Sequence, residues 1–133
     1  MTLDVHLFPC RSDNYGFLIR DGATGVVAAV DTPDAARILE ELERLGWGRL
    51  DLVLNTHWHL DHTEGNERLK AEAACEIVGP QEVRRVAPLD RVVADGDTVM
   101  VGQTRFQVVA TPGHTLGHVV SVSYTHLTLP TKA

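Results

Sequence analysis

The order of elements in this sequence predicts an α/β fold, the first half of an αβ/βα sandwich. Three observations carry that expectation. Short apolar runs of strand length alternate with helical stretches, one of them strongly amphipathic, and turns rich in glycine and aspartate separate them. The central run, Leu50-Asp51-Leu52-Val53-Leu54, reads as a buried strand. A dense cluster of histidines begins where that strand should end, at the carboxyl edge where open α/β sheets carry their binding groups.

Taken in order, Leu3-Val5-Leu7 and Phe17-Leu18-Ile19 suggest a first pair of strands, and Asp21-Gly22-Ala23-Thr24-Gly25 is a turn into Val26-Val27-Ala28-Ala29-Val30. A helix should follow, with Thr32 as its N-cap and Pro33 at the first helical position. Ala35, Ile38, Leu39, Leu42 and Leu45 keep helical spacing as a core stripe, and Gly46 ends the helix. After the central strand and its histidines, Thr63 to Lys70 reads as a helix start with Thr63 as cap. Glu76-Ile77-Val78-Gly79 is a further strand. Asp95-Gly96-Asp97 reads as a hairpin-type turn before Thr98-Val99-Met100-Val101, and residues 104–110 deliver the second histidine cluster. Repeats, linkers and low-complexity tracts are absent from the sequence.

The first cluster is Asn55-Thr56-His57-Trp58-His59-Leu60-Asp61-His62, with three histidines and one carboxylate inside six residues. Imidazole nitrogen plus carboxylate oxygen, without thiolate, is a ligand set for zinc or a similar first-row metal in a hydrolytic site. His57 and His59 can turn to one side of the loop, while the adjacent Asp61 and His62 diverge and could serve a second metal. A solvated polar turn is the bland alternative, and four ligand-type side chains at this spacing outweigh it. The second cluster is Thr111-Pro112-Gly113-His114-Thr115-Leu116-Gly117-His118. There His114 is the expected ligand, and His118 is expected to support the site from behind or simply to pack. Asp31 either hydrogen-bonds a ligating histidine or caps the following helix.

These motifs resemble the metallo-β-lactamase superfamily, which carries Thr-His-x-His-x-Asp-His followed by Pro-Gly-His-Thr-x-Gly-His. Within it the chain resembles the glyoxalase II, or hydroxyacylglutathione hydrolase, branch. Ser12-Asp13-Asn14-Tyr15, Ala29-Val30-Asp31-Thr32-Pro33 and Asp61-His62-Thr63-Glu64-Gly65-Asn66 are similar to motifs of that branch, with Glu64 where it usually has glycine. The resemblance runs from about Thr2 to Val120. It implies the metallo-β-lactamase fold, truncated to its N-terminal half, and Zn2+ at two sites, although such ligands accept iron or manganese as well. It further implies that His57, His59 and His114 hold the first metal, that Asp61 and His62 contribute to the second, and that Asp61 also orients the attacking water. The implied reaction is metal-dependent hydrolysis of S-D-lactoylglutathione to D-lactate and glutathione. A thioester suits such a site, because a thiol of pKa about 8.5 leaves as thiolate without a strong general acid.

The sequence departs from the family at its end. The family completes the site with a later aspartate and a later histidine, yet no Asp or Glu follows Asp97, and His126 is the sole histidine after His118. Residues 122–131 resemble translated sequencing-adapter DNA. The expected organisation is therefore an incomplete metallo-β-lactamase domain over 1–121 and a non-native tail over 122–133, with His126 no ligand. The alternating pattern of residues 120–125 also fits a native strand. Half of a two-sheet sandwich leaves an inner face and edge strands without partners, so the isolated chain is expected to be marginal or aggregation-prone.

Composition bounds the rest. With 44% apolar and 23% charged residues in 133, the chain is typical of a soluble globular protein. A net charge of −6 argues against nucleic acid or an anionic membrane as partner. No apolar segment is long enough to span a bilayer. The start has neither a basic region nor an apolar stretch, and Cys10 and Cys75 are two distant thiols, so a reducing cytoplasm is expected. Two other readings stand beside the thioesterase: a persulfide dioxygenase using a single iron in a similar site, and a non-catalytic metal-binding fragment.

Overall fold

The computed structural model describes residues 3–10, 14–55, 63, 65–85, 87, 89–110 and 119–123. In chain order the elements are β1 (Leu3–Cys10), β2 (Asn14–Asp21), β3 (Val27–Val30), α1 (Ala35–Leu45), β4 (Leu52–Leu54), α2 (Asn66–Ala73), β5 (Glu76–Gly79), a 3-10 turn (Gln81–Arg85), β6 (Arg91–Val92), β7 (Thr98–Val101), β8 (Thr104–Ala110) and β9 (Val119–Ser123). Among the described residues the strands form two sheets, one ordered β1-β2-β3-β4-β5-β6 and one ordered β7-β8-β9. The first is antiparallel across β1-β2-β3 and parallel from β3 to β6; the second is antiparallel.

The apolar runs are continuous because the first sheet is covered on both faces. Successive residues point to opposite sides. Leu18, Ala29, Val53 and Ile77 join Ala35, Ile38 and Leu42 of α1 and Leu69 of α2 in one core. Their strand neighbours Ile19, Ala28, Val30, Leu52, Leu54 and Val78 join Val99, Val101, Phe106 and Val108 of the second sheet in another. The layers are therefore helices, sheet, sheet, as the order of elements predicts. Cover stops short at β1, where Val5 and Leu7, on the same face as Leu3, remain 44% and 52% exposed.

Asp21, buried at the end of β2, staples the two sheets. Its carboxylate accepts from Thr24 Oγ1 at 2.7 Å and Thr24 N–H at 3.1 Å in its own turn, and from Thr104 Oγ1 at 2.7 Å and Gln103 N–H at 3.1 Å in the β7–β8 hairpin. Burial alone would raise its pKa, but the bonds from Thr24, Thr104 and Gln103 outweigh it and hold the group at about 2 against an ordinary 3.8. Gly102 at the hairpin apex has φ 58°, and any Cβ there would strike Thr24 and Asp21, so glycine is required twice over.

Three local expectations need correction. The N-cap of α1 is Asp34, whose side chain accepts from Arg37 N–H at 3.2 Å, and the helix starts after Pro33 at Ala35. Thr32 is committed elsewhere. Thr63 is buried and itself helical, so it is no N-cap, and α2 starts at Asn66 behind Gly65 with no side-chain cap. Asp95-Gly96-Asp97 is no hairpin: it carries the chain from β6 in one sheet to β7 in the other, and the hairpin turn lies at Gly102. Gly46 does end α1, in the left-handed region at φ 72°.

Candidate metal centre

The site is framed by what the sequence places at the carboxyl edge of the parallel strands. β3, β4 and β5 run the same way, so the residues after Val30, Leu54 and Gly79 come to one edge. His57, His59, Asp61, His62, His114 and His118 all lie outside the described residues, as does Thr115. The frame on both sides of residues 56–62 is described.

On the entry side, Asn55 follows β4 directly, is 3% exposed, and donates its N–H to Val78 O of β5 at 2.7 Å. On the exit side, Gly65 donates its N–H to Thr32 O at 2.8 Å. A Cβ on Gly65 would lie 3.0 Å from that oxygen and 3.1 Å from Ala35, so the start of α2 sits hard against the start of α1. Entry and exit are joined through side chains. Asn66 Nδ2 donates to Asn55 Oδ1 at 2.5 Å, and Asn55 Nδ2 donates to Asn66 Oδ1 at 3.2 Å. Thr32 Oγ1 donates to the same Asn66 oxygen at 2.7 Å. All three residues are buried. The sequence reading missed this network. Its trace was an asparagine at each end of the histidine loop, the second opening a helix without a cap.

Asp31 stands beside that frame. It is 6% exposed, adopts φ 61°, and donates its N–H to Leu54 O at 2.7 Å. A non-glycine residue in the left-handed region costs about 1 kcal/mol or more and persists where its surroundings enforce it. Of its two expected roles, helix capping is closed, since Asp34 fills it.

The donor chemistry fits a divalent ion of borderline hardness. Neither histidine cluster contains a cysteine; Cys10 and Cys75 are buried in the helix-side core, and burial pushes the Cys75 thiol up. That leaves imidazole and carboxylate as the available donors. β8, which leads to His114, shares the inter-sheet core with β4, through Val108 and Leu54.

The family model of the metallo-beta-lactamase superfamily matches residues 11–124, and with this sandwich and histidine pattern the chain belongs to that superfamily. Such membership implies a divalent metal. Its relatives are more particular: the chain is 50% identical over 118 residues to the hydroxyacylglutathione hydrolase of Brucella anthropi, covering 88% of this chain and 45% of that protein. It is 44% identical over 120 residues to that of Hyphomonas neptunium, covering 90% and 46%. Among solved structures, ETHE1 from Myxococcus xanthus superposes with a TM-score of 0.76 at 32% identity, covering 92% of this chain and 54% of that one. A metallo-beta-lactamase of Staphylococcus aureus shares the fold with a TM-score of 0.77 at 19% identity, covering 91% and 37%. The chain spans about half the length of the curated relatives it matches.

Proposed function

We propose that the protein to which this chain belongs is a metal-dependent thioester hydrolase that converts S-D-lactoylglutathione to D-lactate and glutathione. The observation that carries this reading is identity of 44–50% to several hydroxyacylglutathione hydrolases, over a stretch containing the His57-x-His59-x-Asp61-His62 loop and His114. A divalent ion, when bound, lowers the pKa of water from about 15.7 to about 7 and polarises the scissile carbonyl. His57, His59 and His114 are proposed to hold one such ion, Zn2+ by preference, and Asp61 and His62 to contribute to a second. Asp61 would also accept a hydrogen bond from the attacking water and so aim it. Asp31 and His118 are proposed to orient ligating imidazoles from behind.

The 133-residue chain by itself, which spans about half the length of these relatives, is proposed to be inactive. We further propose that the native domain covers 1–121 and that 122–133 is foreign, although β9 runs to Ser123 and pairs Val122 with Gln107. Among the described residues no helix is long and apolar enough to cross a membrane. We also propose a cytoplasmic location and a small-molecule glutathione thioester as the substrate.

On the full-length protein, loss of thioester absorbance with S-D-lactoylglutathione is the expected result. Oxygen uptake with glutathione persulfide, and no thioester loss, would overturn the proposal in favour of a persulfide dioxygenase. Long-read sequencing of the source DNA across the codon for Ser121 tests the tail: the expected frame continues into new sequence, and a frame ending at Ala133 as written overturns the boundary.

A further inference from the structure

We infer that Asn66 is a positioning residue: its carboxamide latches the two ends of the histidine loop to each other and to the β3–α1 junction, and so sets the affinity of the metal site. The inference rests on the metal reading above and deepens it. Asn55 and Asn66 are eleven positions apart in sequence, yet their amides pair face to face, with donor and acceptor used on both sides. The third bond, from Thr32 Oγ1, lands on the Asn66 oxygen that already accepts from Asn55. Asn66 and Thr32 are 0% exposed and Asn55 is 3%, so water does not compete for these bonds.

The position of the network distinguishes it from ordinary core polarity. Each of its three residues lies just past the end of β3 or β4 or at the first turn of α2. The backbone bonds Asn55 N–H to Val78 O, Asp31 N–H to Leu54 O and Gly65 N–H to Thr32 O tie the same segments to one another. What lies between Asn55 and Thr63 is the loop carrying His57, His59, Asp61 and His62. A loop clamped at both ends presents its donors in fewer arrangements, so less ordering is left for the ion to impose. Partners of this kind, removed from behind a metal site, typically cost 10- to 100-fold in affinity.

The test uses the whole 133-residue chain and cobalt(II), with the dissociation constant read by chelator competition and ligand geometry by the visible d–d bands. Asn66→Ala is expected to raise the cobalt dissociation constant at least about tenfold and to change the bands. Thr32→Val, which deletes one bond and keeps the shape, should raise the constant a few-fold; it carries the test on its own where Asn66→Ala fails to fold. Ile38→Val thins the helix-side core and calibrates what lost stability alone does to the same readouts. Cobalt constants and bands in Asn66→Ala and Thr32→Val no different from those of Ile38→Val overturn the latch while leaving the metal reading intact. A wild-type chain that binds no cobalt overturns the metal reading and the latch with it.

Discussion

Two of the buried polar clusters among the described residues sit at opposite ends of β3. At its amino end, Asp21 gathers four donors from two segments and binds sheet to sheet. At its carboxyl end, Thr32, Asn55 and Asn66 bind three loop ends to one another. One cluster is charged and joins layers; the other is neutral and flanks residues 56–62 on both sides in sequence. β3 is only four residues long, about 13 Å at strand rise, so stability and site geometry are served by separate groups a short distance apart. If that division is real, damage to one cluster should leave the other's property alone.

The largest effect should come from the charged cluster. Asp21→Ala strands two hydroxyls and two backbone N–H groups in a buried place, and bonds to ionised groups contribute about 1.5–3 kcal/mol each. We expect a loss of about 3 kcal/mol or more in urea unfolding, with the cobalt affinity of whatever remains folded unchanged. A tenfold fall in affinity at constant stability would merge the two clusters into one.

Acid provides a second separation. The folded pKa of Asp21, about 2, lies below the ordinary 3.8, so the folded state takes up that proton less readily than the unfolded chain does. The stabilisation it gives is whole above about pH 4 and is lost as pH falls through about 2. In Asp21→Asn the fall in urea midpoint across that window should be visibly shallower than in the wild type. Equal slopes would show that other carboxylates govern acid unfolding. Glu41 is the chief competitor, being buried on α1 with its pKa lowered by the Arg44 guanidinium and, against the opposing effect of burial, by Arg37.

How far the chain could be read in advance follows from the range of the interactions. The strands were legible because a sheet covered on both faces needs unbroken apolar runs, as in Val27–Val30 and Leu52–Leu54. The amphipathic stripe of α1 was legible for the same reason, save that Glu41 shares the buried face; Arg37 and Arg44, one turn away on the same helix, were readable as its partners, whereas His6, from β1, was not. Membership of the superfamily implies a divalent metal, and the histidines pointed to a metal by their spacing. The frame around them did not. Thr32 looks like a cap when only its neighbours are considered, because its real partner lies 34 positions away. Asp21 looks like an ordinary turn residue, because Gln103 and Thr104 lie more than 80 positions away. Local chemistry was readable; pairing across the fold was not.

The cap correction gives a smaller test. Asp34→Ala should cost about 1 kcal/mol, the usual loss for a side-chain N-cap, and should leave cobalt binding unaltered. Thr32→Val should do the reverse, changing the site and sparing the helix start. Were the two effects exchanged, Thr32 would be the cap after all, and the neutral cluster would lose one of its three members.

The smallest expected effect bears on the uncovered part of the first sheet. Leu7 projects beside Leu3 on the inter-sheet face, opposite Phe17, and is half exposed. Substitution at such a place usually changes stability by no more than about 0.5 kcal/mol. Leu7→Ser should therefore leave the urea midpoint of the chain nearly unmoved while raising the concentration at which it stays in solution, because the strip formed with Val5 is an apolar edge open to other molecules. A loss near 2 kcal/mol, the scale for a fully buried leucine, would mean that this strip is already covered in the chain alone. The sandwich would then be closed at β1 as well as at β3, and the contrast between its filled and unfilled ends would disappear.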